Sequence, residues 1–432
     1  MEAFEEIIGY EDIKHELRRI ADALNRPEAY RALGAEAPSG LLLQGNPGVG
    51  KTLMANCLIK ASGRKAFACR KTKPSEEFIG TIKETFDAAM ENAPSIVYLD
   101  DMDKFANDDE RHRNSEEFVT VQSCIDEVRG KEVFVLATAN ETHCLPSSLT
   151  RAGRFDRVID VSAPEGEDAE AIVEHYLRRK QIAGQLDCKV IAQLLCGGSC
   201  ATLETVINEA AVIAAWQRAG GITMNHIIEA CLVTVHHVQP KCEDDLEIDL
   251  TCANKDSLIT WHEAGHIALS EAVLPGSVQF ASSRRRSKRS AGFVQGSLSA
   301  EQDKVKRQEM DVVVSLAGKA ATEMRFGVAG DGAREDLNAA YRTVRDLFEN
   351  GYYGGFGFCN PLYYSASEAR QQAIEAATDS KLCEFERIAQ TCLQRNRGFL
   401  EAVADELANR DVLLAADIER IKVAHPMVPL AL

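Results

Sequence analysis

His262-Glu263-Ala264-Gly265-His266 sets two imidazoles four residues apart, with a carboxylate beside the first. On a helix, positions i and i+4 share a face, so His262 and His266 can hold one metal ion between them. Glu263, next in the chain, comes within reach of a water bound to that ion. This is the equipment of metal-assisted amide hydrolysis. Zn2+ lowers the pKa of its water to about 7 and polarises a carbonyl, and the glutamate serves as general base. A catalytic zinc takes three protein ligands and keeps its fourth position open. Asp331, Glu323, Glu335 and Asp336 are the candidates for the third.

A second constellation lies far upstream. Gly45-Asn46-Pro47-Gly48-Val49-Gly50-Lys51-Thr52 spaces its glycines so that backbone N–H groups can turn inward on a phosphate. Lys51 would reach the β- and γ-oxygens and the Thr52 hydroxyl would ligate Mg2+. Asp100 and Asp101 end an apolar run, Ile96-Val97-Tyr98-Leu99, where carboxylates can serve Mg2+ and the attacking water. Asn140 ends another run, Val133 to Thr138, and can orient that water.

Positioning these groups requires particular elements. Gly40 to Gln44 reads as a strand entering the glycine loop, and Leu53 to Ile59 as the helix leaving it. From about Glu165 to Val238 apolar residues recur every three or four positions, which predicts helices only. Gln239-Pro240-Lys241 opens a polar segment that suits a linker. The expected organisation is an α/β nucleotide-binding domain over 1–164, a helical lid over 165–238, a linker over 239–253, and a mainly α-helical metallopeptidase domain over 254–432. Gln279-Phe280-Ala281 and Ala291-Gly292-Phe293-Val294 are expected to be short strands flanking a solvated basic loop, Arg284 to Arg289. Lys73-Pro74-Ser75-Glu76-Glu77-Phe78-Ile79-Gly80 places an aromatic residue in a polar, glycine-ended stretch and reads as an exposed contact loop.

Composition narrows the function classes. A net charge of −17 repels nucleic acid and anionic lipid, so neither is an expected partner. No run approaches the roughly 18 apolar residues of a membrane span, and the start carries no secretory signal. Thirteen scattered cysteines read as reduced thiols, which points to the cytoplasm.

In their order along the chain, GNPGVGKT, IVYLDD, ATAN, RAGRFDR and GGSCATLETVINEAA resemble an AAA+ ATPase module of the FtsH branch. WHEAGHIAL, LAGKAATEMRFG and GAREDL resemble the peptidase segments of the same family. The resemblance runs from Phe4 to about residue 423, without the family's amino-terminal membrane segments. It implies a P-loop sheet flanked by helices with a helical lid, followed by a zinc metallopeptidase, with ATP, Mg2+ and Zn2+ as cofactors. It selects Asp336 as third zinc ligand and makes Asn140 a sensor. It implies that Arg154 and Arg157 act as fingers on a neighbouring subunit, and hence a homohexameric ring. Ile8, Gly9 and Ala201 fall where the family contacts adenine, and Phe78-Ile79-Gly80 where its pore loop grips polypeptide. The implied activity is ATP-driven unfolding, threading and degradation of protein substrates. Alternatives are a remodeller with a vestigial peptidase, or a peptidase with a slow ATPase. The last is suggested by Asp101, one methylene shorter than the family's glutamate.

Overall fold

The structure is a computed structural model that describes residues 2–72, 74–106, 115–140, 145, 148–149, 154–238, 257–285, 291–296, 303–330, 332–355 and 367–430. Several expectations fall outside these residues: Arg151-Ala152-Gly153, the linker 239–253, Arg286 to Arg289, and Asp331. The chain divides into two compact units, Met1–Cys231 and Leu232–Leu432.

The first unit opens with α1 (Glu11–Asn25) and α2 (Pro27–Arg31). Strand and helix then alternate through β1 (Gly40–Gln44), α3 (Lys51–Ser62), β2 (Lys65–Arg70), α4 (Ser75–Glu91), β3 (Ser95–Asp100), α5 (Ser115–Val128), β4 (Val133–Ala139) and β5 (Arg157–Asp160). The five strands form one parallel sheet in the order β2-β3-β4-β1-β5. Its central strands are apolar at consecutive positions, as in Leu41-Leu42-Leu43, because helices cover both faces and leave no side for water. The register pairs Leu99 with Ala137 and Gln44 with Ala139. The ends of β1, β3 and β4 therefore converge, and with them the glycine loop, the Asp100-Asp101 pair and Asn140. Crevices at the carboxyl ends of such sheets are where ligands bind.

Helices α6 (Gly166–Leu177), α7 (Cys188–Leu194), α8 (Cys200–Trp216) and α9 (Met224–Thr234) follow. Two have side-chain caps that fix their starts: Asp187 accepts from Lys189 N and Val190 N, and Ser199 accepts from Thr202 N. The start of α8 is tied to the phosphate loop, with Ala201 N donating to Gly48 O at 3.1 Å.

Contrary to expectation, Phe78-Ile79-Gly80 is not an exposed loop. Ser75–Glu91 is a single helix, and Phe78 is 0% exposed, its ring edge-on to Phe105 with centroids 5.1 Å apart. Phe78, Ile82, Phe86 and Ala89 recur at helical spacing and form the buried stripe of α4. Gly80 faces outward into open space. An exposed helical glycine costs about 1 kcal/mol, whereas burying each large apolar side chain returns about 1.5–3 kcal/mol, so the stripe wins and the helix runs through.

The second unit is organised around α10 (Leu258–Val273), buried on nearly every side. It is wrapped by α11 (Lys304–Phe326), α12 (Ala333–Glu349), α13 (Glu368–Arg395) and α14 (Arg397–Arg410), which share a core that includes Leu269, Val313, Leu393 and Leu400. A small antiparallel sheet of β6 (Val278–Arg285), β7 (Ala291–Gly296) and β8 (Val412–Leu414) has the order β7-β6-β8, and α15 (Ala415–Ala424) closes the domain. Arg284, expected in a solvated loop, lies in β6 and is 5% exposed. No helix among the described residues is long and apolar enough to cross a membrane.

Candidate active sites

In the first unit the phosphate loop wraps the start of α3. Lys51 Nζ donates to the carbonyls of Gly45 and Asn46 at 2.7 and 2.8 Å. Burial pushes its pKa down, opposed by the carboxylates of Asp101 and Asp103. At the end of β3, Asp100 Oδ1 accepts from the Tyr98 hydroxyl at 2.7 Å and from Thr138 Oγ1 at 3.0 Å. Asp101 takes the left-handed conformation (φ 53°), and its N–H donates to the same Thr138 hydroxyl at 3.0 Å. One buried hydroxyl thus sets the relative orientation of both acidic residues.

Asn140 faces Asp101, its Nδ2 donating to Oδ1 at 3.2 Å, while its backbone N–H donates to Asp103 Oδ1 at 3.0 Å. Lys104 Nζ sits 2.6 Å from Asp101 Oδ2. Burial pushes the Asp101 carboxyl up, but Lys104, Asn140 and Arg70 together hold it below its ordinary value. Lys51, Asp101, Lys104 and Asn140 border a cavity of about 740 Å³ that Ile8, Gly48, Thr52, Tyr176 and Ala201 also line, within the range of small-molecule sites. Gly9 serves differently: its backbone turns at φ +67° against Asp168, which accepts from Tyr10 N at 2.8 Å.

The two arginines expected to act on a neighbouring subunit differ in availability. Arg154 is committed within its own chain, Nε and Nη2 each 2.8 Å from an Asp126 oxygen and Nη1 2.6 Å from Ser148 O. A bidentate carboxylate pair must break before that guanidinium can reach a neighbouring subunit. Arg157, on β5, is half-exposed, 3.8 Å from Glu16.

In the second unit α10 presents His262 and His266 toward the first turn of α12. His262 Nε2 lies 3.0 Å from Asp336 Oδ2, His266 Nε2 lies 3.3 Å from the same oxygen, and the two Nε2 atoms are 3.1 Å apart. Donors at about 2.0–2.1 Å from a tetrahedral zinc stand about 3.3 Å from one another, so the three atoms fit around one ion. His266 Nδ1 is 2.8 Å from Val314 O. A carbonyl only accepts, so Nδ1 carries the hydrogen and Nε2 turns its lone pair to the metal position. Burial pushes His262 toward the neutral, ligating form. Burial would raise the Asp336 carboxyl, yet the two imidazoles hold it well below the usual carboxylate range. Of the other candidates, Glu335 is exposed and Glu323 pairs with Lys319 at 2.9 Å.

Small residues make this packing possible. A Cβ on Gly265 would come within 2.6 Å of Ala317 O, and one on Gly318 within 2.4 Å of the His262 ring. Glu263 is 3% exposed, and Gly292 of β7 rests against it at φ +60°, where a Cβ would lie 2.3 Å from Oε1 and 2.5 Å from Cγ. Gly292→Ala is therefore expected to displace the Glu263 carboxylate. A shift of about 1 Å can cost about a hundredfold in rate. Peptide cleavage should fall by that order with zinc content unchanged, which parallel measurement of metal content and casein digestion would check.

Thr138, Asp103, Tyr98, Arg70 and Lys104 also belong to the site, although the motif spacing does not single them out. Two carried a local signal: Thr138 is a polar residue inside an apolar run, and Asp103 repeats the acid two positions after Asp101. Tyr98 reaches Asp100 because residues two apart share a face of β3, whereas Arg70 becomes relevant only through strand register, which pairs it with Asp100.

A nucleotide crevice at the head of a parallel sheet and a metal-ligand cluster carrying its own buried glutamate, encoded in one chain, define an ATPase joined to a metallopeptidase. Residues 41–163 match the ATPase family associated with various cellular activities (AAA). The chain is 30% identical to ATP-dependent zinc metalloprotease FtsH 2 of Symbiobacterium thermophilum, over 97% of this chain and 74% of that protein. It is 28% identical to FtsH of Pelobacter propionicus, over 97% of this chain and 71% of that protein. With FtsH of Mesoplasma florum the identity is 29%, over 97% and 67% respectively. The chain belongs to the FtsH family of ATP-dependent zinc metalloproteases.

Proposed function

We propose that this chain forms a homohexameric ring in the cytoplasm that unfolds and threads protein substrates at the expense of ATP and cuts them processively. The observation that carries the reading is the coexistence, in one chain, of the Asp100-Asp101-Asn140 constellation and the His262-His266-Asp336 cluster. Thr52 and Asp100 would hold Mg2+ against the phosphates that Lys51 and the loop amides bind. Asn140 orients the Asp101 carboxylate, which accepts a hydrogen from the water attacking the γ-phosphate. Arg157 is the arginine available to a neighbouring subunit. At the second site, Zn2+ bound by His262, His266 and Asp336 would polarise the scissile carbonyl and acidify its water. Glu263 takes that water's proton and returns it to the leaving amine. β7 forms one edge of its sheet beside Glu263 and supports main-chain pairing with an extended substrate. Cys57, Cys69, Cys124 and Cys231 are buried free thiols, in keeping with a reducing compartment.

Asp101→Asn separates the two activities. It removes the acceptor for the attacking water and leaves Lys51, Thr52 and the loop amides in place. ATP affinity and cleavage of short unstructured peptides should persist, while ATP turnover and degradation of a folded substrate should cease. Normal turnover in this variant would remove Asp101 from the mechanism; loss of peptide cleavage would contradict two separable sites.

A further inference from the structure

We infer that Lys104 is a positioning residue for ATP hydrolysis, a cation that occupies the Asp101 carboxylate and thereby restrains turnover. The inference rests on the reading of Asp101 as the group that polarises the attacking water.

Lys104 closes the short helical turn Met102–Lys104 that begins just after Asp101. That turn brings its Nζ to 2.6 Å from Asp101 Oδ2, and the side chain lines the same cavity as Lys51, Thr52 and Asn140. The other oxygen, Oδ1, already accepts from Asn140 Nδ2 at 3.2 Å. Arg70 Nη2 approaches Oδ2 from β2 at 3.7 Å. Both oxygens therefore carry a donor before any water arrives. A carboxylate activates water by accepting its hydrogen, and an ammonium on the same oxygen competes for the lone pairs and withdraws charge. The charged groups around Asp101 are the cations Lys104, Arg70 and Lys51 and the anions Asp100 and Asp103.

The Lys104 side chain is 54% exposed. An exposed ion pair is weak, typically equivalent to about two- to fivefold in an equilibrium. Lys104 is therefore a brake that a bound nucleotide or neighbouring subunit can release, rather than a fixed part of the core. The shortened side chain of Asp101 adds to the effect, because an aspartate held against its own turn has less reach with which to escape the pair.

Steady-state ATPase assays on the full chain with MgATP test this. Lys104→Ala should raise kcat about two- to fivefold with KM for ATP unchanged, and Lys104→Arg, which keeps a cation there, should fall between. Raised ionic strength should accelerate the parent more than Lys104→Ala, since exposed pairs are screened and only the longer Arg70 approach remains in the variant. An unchanged or reduced kcat in Lys104→Ala, with ATP binding retained, would overturn the inference. In an Asp101→Asn background Lys104→Ala should give no acceleration, and acceleration there would also overturn it. Normal turnover of Asp101→Asn alone would instead remove the underlying reading of Asp101.

Discussion

Asp336→Ala is expected to release zinc and end peptide-bond cleavage together, whereas Glu263→Gln is expected to end cleavage with zinc still bound. The first follows from the geometry of the cluster. Nε2 of His262, Nε2 of His266 and Oδ2 of Asp336 lie within 3.0–3.3 Å of one another. Removing one donor leaves a two-ligand site, which lacks both the charge and the tetrahedral arrangement that zinc requires. His262→Ala and His266→Ala should behave like Asp336→Ala. Glu263, adjacent to His262 but absent from the converging trio, contributes as a base, and a general base is worth about 10²–10⁴-fold in rate. Zinc content after gel filtration, measured beside casein digestion, separates the roles. Full zinc occupancy in Asp336→Ala would dismiss it as a ligand and direct attention to Asp331, since Glu335 points to solvent and Glu323 is committed to Lys319. ATP turnover in these variants should continue, because none of the substituted residues belongs to the nucleotide crevice.

What could be read from the sequence divides along a physical line. His262, Glu263 and His266 are close because one helical turn makes them so, and the phosphate loop is eight consecutive residues whose glycines serve one purpose. Such sites need only local geometry, so spacing reveals them. Asp336 stands 74 positions beyond His262; it joins the cluster because α12 starts beside α10, and residue types alone left four acids open. Lys104 shows a further limit. Its role depends on the left-handed turn at Asp101 that directs the lysine back on the carboxylate, a backbone feature that a run of Asp-Asp-Met-Asp-Lys does not announce. Arg154 is a limit of another kind, since its partner within the chain, Asp126, comes from α5, 28 positions away.

Phe78 is the case in which two sequence signals conflicted, and Phe78→Ala is expected to have the largest effect on stability. Read as far as Gly80, the segment is a polar stretch with an aromatic tip; read to Ala89, it is the apolar face of a helix. The side chain packs fully buried among Ile82, Phe86 and Phe105. Truncating a buried phenylalanine to alanine costs about 3–5 kcal/mol, against a total of about 5–15 kcal/mol for a typical domain. Phe78→Ala should therefore lower the melting temperature of the nucleotide-binding domain steeply and impair ATP binding, which depends on the strands that α4 covers. Degradation of folded substrate would be lost as a consequence of that unfolding. Phe78→Leu keeps the stripe apolar at a smaller change in volume and should cost about 1.5 kcal/mol or less, leaving ATP turnover near normal. A residue that grips polypeptide predicts the opposite pattern: melting temperature and ATP turnover unmoved by Phe78→Ala, with degradation of folded protein alone abolished. Thermal unfolding followed by nucleotide binding on the same samples decides between them, because core packing and substrate contact act on different observables.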